Sequence, residues 1–292
     1  MRLALVFDKT REDTTGVYFE RACQALGIHA EHFWTRQAEQ IPSGYDLYVR
    51  IDHGDYHEDV PPPLRPRIFY AIDTHLPKSW KKIRRLARGY DLVCCAQRAA
   101  ANALPNGAWV PFGCDPAVHR GVTGLLHWEV AFVGTEGGVP RKFYLQLLRE
   151  RYPRSFIGHA PHTQLGRIYS QAKIGFNYSI REDLNMRIFE ILSAGTLLVT
   201  NRLQHDDLGE LGLHDRQHYV SYGTPTELFE VIDYYVQHEQ ERQAIAMRGM
   251  TAVQQHHTYP HRLQQLLTLA AERIGLPVTI PRHTPEASAC VS

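Results

Sequence analysis

Two glutamates eight residues apart, Glu182 and Glu190, flank the start of an apolar stretch with helical spacing (Ile188, Ile191, Leu192). Arg187 lies three residues before Glu190 and shares its helix face. A carboxylate in the first two turns of a helix can accept both hydroxyls of a ribose, and a guanidinium fork suits a diphosphate. A plain local Arg–Glu pair has the same spacing, so both readings stand. A second candidate is the segment FVGTEGGVPRK at 132–142, a strand running through a glycine loop into a helix. Gly134 and the glycines after it let backbone N–H groups approach an anion, which a helix N-terminus also favours. Arg141 and Lys142 place positive charge at that end, against the helix dipole, as a bound anion would explain. A glycine turn with solvated basic residues is the alternative. Neither a GxGxxG fingerprint nor a Walker A lysine is present. The third group is Asp52, His53 and Asp55 after one apolar run, with Asp73 and His75 after the next. Such groups can take a proton from a hydroxyl, hold a metal, or serve as ordinary N-caps and loop residues.

These residues need elements to place them. Residues 3–7, 28–34, 46–51, 68–72, 91–95 and 108–111 read as strands, with helices expected at 18–26, 79–88 and 97–104. The stretch 113–126 is turn-rich and reads as a boundary. A second series follows, with strands at 129–133, 155–157, 174–178, 197–200 and 219–222. Its helices are expected at 141–150, 163–170, 185–194, 225–238 and 240–256. Pro260 is expected to interrupt the pattern before it resumes over 261–274. Strands alternating with helices predict parallel sheets covered on both faces, with right-handed crossovers. The expected fold class is α/β, with two Rossmann-like domains facing across a cleft and ligands at the carboxyl ends of the strands. The expected domains are 1–120, 121–262 and a segment 263–292, in which a C-terminal helix packs back on the first domain and a tail from 277 follows.

Composition narrows the function classes. The 292 residues are 43% hydrophobic and 22% charged, with a formal net charge of +1, so no global field draws nucleic acid or an anionic membrane. The basic helix around Trp80–Arg85, with Arg88, reads as a solvated face, or else as a contact for a phosphorylated acceptor or membrane surface. No apolar run approaches the ~18–20 residues of a membrane span. The opening MRLALVFDKT turns polar too soon for a signal peptide. Five cysteines without CxxC spacing argue against a disulfide framework or a zinc site, and suggest a reducing, cytoplasmic setting.

Residues 185–195 (NMRIFEILSAG), continuing into 197–202 (LLVTNR), resemble the donor-binding domain of GT-B glycosyltransferases. They look closest to the group related to the spore maturation protein CgeB, among the glycosyl transferases of group 1. Residues 227–262 resemble the end of the same domain. The family's two-carboxylate motif falls on Glu182 and Glu190. The resemblance implies that Glu190 holds the donor ribose, that Glu182 sits near the sugar, and that Gly134, Arg141 and Lys142 lie near the diphosphate. The arginine–lysine pair of related retaining enzymes has its nearest counterparts in Arg167 and Lys173, six residues apart instead of five. Leu184-Asn185 stands where many have Phe-Gly. The implied activity is metal-independent sugar transfer from a nucleotide-diphosphate sugar, a UDP-sugar being favoured, to an acceptor glycan, protein or small molecule. No resident cofactor, metal or nucleic-acid partner is implied. Asp52, His53 and Asp55 would form the acceptor side. Asp73 or His75 would supply a base if transfer inverts the anomeric centre. A nucleotide-sugar epimerase or hydrolase on the same fold and a non-catalytic binding module remain alternatives.

Overall fold

The computed structural model describes residues 1–277. The chain divides into two compact units, residues 1–111 with the chain from Tyr259 onward, and Phe112–Thr258. The first unit is built on β1 (Arg2–Val6), β2 (His29–Phe33), β3 (Leu47–Ile51), β4 (Arg67–Ala71), β5 (Leu92–Cys95) and β6 (Gly107–Trp109). All pair in parallel, in the order β2-β1-β3-β4-β5-β6. The central strands are buried along their whole length, as a sheet covered on both faces requires. The helices are α1 (Thr15–Ala25), α2 (Pro77–Ala87) and α3 (Arg98–Asn102).

Burial on both faces creates one conspicuous polar problem. Arg50, in the middle of β3, is 1% exposed. Its guanidinium donates to Asp59 Oδ1 (3.2 Å) and Asp55 O (2.9 Å) and lies 5.3 Å from the Phe69 ring. A charge is tolerated inside only when it is paired in this way. The cations of α2, by contrast, are exposed, apart from stacking of Arg84 on Trp80 and Lys82 on Tyr56.

The second unit opens with α4 (Pro116–His119), a four-residue helix inside the stretch expected to be turns. Asp115 caps it by accepting from Ala117 N–H at 3.0 Å, and Pro116 fits its first position. Then come β7 (Trp128–Val133), α5 (Arg141–Arg151), β8 (Ser155–Gly158), α6 (Leu165–Ser170), β9 (Ala172–Asn177) and α7 (Met186–Ser193). The unit closes with β10 (Leu197–Asn201), α8 (Asp207–Glu210), β11 (Val220–Tyr222), α9 (Pro225–Gln237) and α10 (Glu239–His256). The sheet is again parallel, in the order β11-β10-β9-β7-β8. Both units are therefore Rossmann-like, as expected.

The start of α9 shows how a local signal fixes an element. Thr224 Oγ1 accepts from Glu227 N–H (3.1 Å), and Glu227 Oε2 accepts from Gly223 N–H (2.7 Å). Thr224→Ala is expected to cost about 1 kcal/mol, seen as a melting temperature lower by about 2–4 °C.

The last helix, α11 (Tyr259–Ile274), belongs to the first unit. Its Tyr259 ring stacks on Tyr18 of α1 at 4.8 Å and meets Phe19 edge-on at 5.6 Å. Pro260 does not interrupt it but sits in its first turn, where the missing N–H has no helical partner to lose. Cys23, Cys94, Cys95 and Cys114 are buried. Cys290 and nearly all of the tail expected from 277 lie outside the described residues.

Candidate functional site

In a doubly wound sheet, ligands bind where the chain reverses its direction of travel across the strands. In the second unit this switch point lies between β7 and β9, because β7 pairs with β8 on one side and β9 on the other. The loops after those two strands carry most of the residues singled out in the sequence.

The loop after β7 begins at Gly134, with φ +137°. A Cβ there would lie 2.4 Å from Arg187 Nη2. The glycine is thus required for Arg187 to lie across the loop. Gly134→Ala is expected to destabilise the second unit by about 1–3 kcal/mol through backbone strain, seen as a lower urea midpoint with an unchanged m-value.

Arg187, half-buried on the first turn of α7, donates to Val133 O (2.9 Å) and Asn177 Oδ1 (3.1 Å). Its guanidinium carbon lies 4.4 Å from the centre of the Phe132 ring. Arg141, buried at the start of α5, donates to Tyr178 O (3.3 and 3.2 Å) and Thr135 O (3.1 Å). It therefore latches the two switch-point loops together. Burial, then the like charge of Arg187, push the Arg141 guanidinium down to about 10, with Asp183 opposing. Two cations this close, one of them desolvated, make a strongly positive spot. Lys142 is exposed on the first turn of α5.

Glu190 is 7% exposed on the second turn of α7, above the buried face of Ile188, Ile191 and Leu192. Its Oε1 stands 3.9 Å from His119 Nε2. His119 is fully buried, and its Nδ1 accepts from Asp115 N–H at 3.0 Å. In the neutral ring the proton is therefore on Nε2, toward the carboxylate.

Glu182 lies before α7, in a short 3₁₀ turn. Arg181 (φ 54°) and Glu182 (φ 63°) are consecutive left-handed residues, a strain of about 1–3 kcal/mol each that clusters at ligand sites. Side-chain bonds hold the turn. Glu182 Oε2 accepts from Gln204 N–H (2.5 Å), and Ser179 N–H donates to Asn201 Oδ1 (2.6 Å). A pocket of about 220 Å³ opens beside this junction, lined by Asn201, Arg202, Gln204, Asp215 and Ser221 among others.

Lys173 does not join the group. It lies at the amino end of β9, opposite the switch point, and its Nζ donates to Val236 O at 3.2 Å. Arg167 lies on α6.

The acceptor-side candidates sit on the first unit, at the carboxyl ends of β3 and β4. Asp52 is 3% exposed and accepts from Gly54 N–H, Tyr56 Oη–H, Ile72 N–H and Asp73 N–H. A carboxylate with four donors splices two strand ends and is not placed to receive a proton. Asp55 Oδ1 accepts from His57 N–H (3.0 Å), which, before other causes, holds its carboxyl below the usual carboxylate range. Asp73 and His75 are half-buried in the loop after β4. His53 turns toward Asp8, a residue the sequence did not single out. His119 and Asn177 were missed as well. Among the described residues no group of three or more His, Cys, Asp or Glu could hold a metal ion, and no helix is long and apolar enough to cross a membrane.

Residues 120–268, just over half of the chain, match the family described as glycosyl transferase-like. The chain belongs to that glycosyl transferase-like family. The matched region contains every residue of the β7/β9 switch point. Solved structures of similar fold include Anabaena Alr3699/HepE in complex with UDP and glucose. It has a TM-score of 0.65 at 12% identity, over 92% of this chain and 99% of that one. T4 phage BGT in complex with its UDP-glucose substrate has a TM-score of 0.59 at 11% identity, over 95% and 100%. Sucrose-phosphate synthase from Thermosynechococcus elongatus has a TM-score of 0.63 at 12% identity, over 94% and 99%. At these identities the likeness shows the fold, which is the GT-B-like pair of Rossmann-like units. No match is found among curated proteins.

Proposed function

We propose that this family member is a glycosyltransferase that moves a sugar from a nucleotide-diphosphate sugar, a UDP-sugar in the first place, to a hydroxyl acceptor without a metal ion. One observation carries the reading. At a single switch point, Arg141 and Arg187 are held on the loops after β7 and β9, and the helix that carries Arg187 also carries the buried carboxylate of Glu190. In this reading Arg187, with Arg141 behind it and Lys142 at the start of α5, stabilises the charge that grows on the leaving diphosphate. Glu190 accepts the two ribose hydroxyls, and Glu182 borders the sugar beside the 220 Å³ pocket. Asp55, Asp73 and His75 lie on the acceptor side. The ligands named for Alr3699/HepE and T4 phage BGT support UDP-glucose as the donor to try first. The sequence of 185–202 supports a place in the CgeB-related group.

The test is calorimetric titration of the intact chain with UDP, GDP, ADP, dTDP and CMP. Micromolar binding of UDP, followed by UDP release from UDP-glucose, is expected. No binding of any nucleotide by a folded, monodisperse sample would reject the transferase reading.

A further inference from the structure

Helix α2 carries more charge than its surroundings explain. The chain as a whole is nearly balanced, with 32 Lys and Arg against 31 Asp and Glu. Yet residues 78–88 hold Lys78, Lys81, Lys82, Arg84, Arg85 and Arg88 and no acid. All six are exposed, while Trp80 and Leu86 are half-buried and Ile83 and Ala87 are buried in one core cluster with Phe69 and Val93. At about 3.6 residues per turn, the cations therefore form one continuous outer face opposite the packed side.

Little inside the first unit offsets this arrangement. Lys78 and Lys82, Lys81 and Arg85, and Arg84 and Arg88 are like charges four residues apart, which repel on a helix. Lys78 also stands in the first turn, where no acid complements the dipole. Among the described residues none of the six forms an ion pair with an acid. Two of them lie over rings, Lys82 over Tyr56 and Arg84 over Trp80. The acid that follows the helix, Asp91, is taken by Arg65.

We propose that this face docks on an anionic bilayer surface. A cluster of this size on an amphipathic helix complements acidic headgroups, and each cation near the leaflet contributes about fivefold in affinity. The helix is about 16 Å long and straight, so its outer row can meet a plane along its whole length. The amino end of the helix favours a bilayer over a phosphate backbone. Leu76, at the N-cap, is 36% exposed, and Pro77 beside it is exposed as well. Apolar groups next to cations suit the boundary between headgroups and acyl chains and have no use on a polyanion. The apolar side of α2 is already packed in the core, so the attachment is peripheral and reversed by salt. This inference goes beyond the transferase reading and stands without it.

The experiment is co-sedimentation of the intact chain with vesicles of phosphatidylcholine containing about one third phosphatidylglycerol, with pure phosphatidylcholine vesicles alongside. Binding to the anionic vesicles alone is expected, and it should be lost as salt rises from about 0.1 M to about 0.5 M. Lys81→Gln combined with Arg85→Gln is expected to bind about 25-fold more weakly. The same double variant should melt no lower than the wild type, because a repulsive pair is gone. Leu76→Ser leaves the charge unchanged and should weaken vesicle binding about threefold, without altering any binding to a short DNA duplex. Equal attachment to both kinds of vesicle, or an affinity of the double variant within about twofold of the wild type, would overturn the proposal. So would tighter binding of the DNA duplex than of the anionic vesicles at the same salt. A melting temperature several degrees lower in the double variant would assign the two cations to the fold instead.

Discussion

Glu190→Ala is expected to weaken UDP binding about 100-fold, close to 3 kcal/mol, while leaving the circular dichroism spectrum unchanged. The carboxylate sits on the second turn of α7 and is 7% exposed. Bonds from ribose hydroxyls to an ionised acceptor contribute about 1.5–3 kcal/mol each when water is excluded. Nε2 of its buried neighbour His119 lies 3.9 Å from Oε1. In the proposed role, alanine removes the acceptor that the ribose would use. Glu190→Gln keeps the shape and one acceptor oxygen but loses the charge, and should fall between the two, about tenfold weaker. An affinity for UDP that stays within about threefold in both variants would remove Glu190 from the ribose.

Arg187→Ala should act on the chemical step more than on binding. The expected fall in kcat for UDP-glucose turnover is about 10²–10³-fold, the loss typical of one preorganised charge-stabilising donor. The preorganisation is visible. Two bonds, to Val133 O and Asn177 Oδ1, and the Phe132 face hold the guanidinium in place. Lysine at this position keeps the charge but loses the planar fork and the stacking, so Arg187→Lys should recover only part of the rate. Asn177 is fully buried and also donates to Ser179 and Thr200. Removing Arg187 leaves its Oδ1 short of a donor, so a moderate stability loss of about 1–3 kcal/mol accompanies the kinetic one. Stability and kcat are separable, because urea unfolding can be measured without substrate. A kcat within about threefold of the wild type would show that the leaving group is stabilised elsewhere.

The central strands were legible because strands buried on both faces are continuous apolar runs bounded by turns. The Glu182–Glu190 spacing was legible because both residues lie within one loop-helix segment. What stayed hidden depends on contacts between distant parts of the chain. His119 sits on a four-residue helix, too short to show periodicity, and its partner Glu190 comes three strands later. Asp8 looks like any loop acid until the pairing of β1 with β3 brings it to His53. Lys173 failed in the opposite way. It is near the motif in sequence, but strand direction puts it at the wrong end of β9. Asp52 has the residue type of a base, and only its four donors show that it is structural. Arg50 appeared as one charge in a strand, and only burial revealed the bonds it needs.

The discontinuity of the first unit bears on the order in which the chain is made. Synthesis normally lets an N-terminal domain fold first. Here the second unit is complete by Thr258, before any of α11 has been added. Tyr18 and Phe19 must wait for Tyr259, and the unit also lacks the buried Leu263, Leu266, Leu267 and Ala270 until then. On the ribosome, the inserted unit has everything it needs while its host is still an open-faced sheet. The first unit to begin is thus the last able to finish, and in the interval its apolar face on α1 is the part of the nascent chain most in need of shelter.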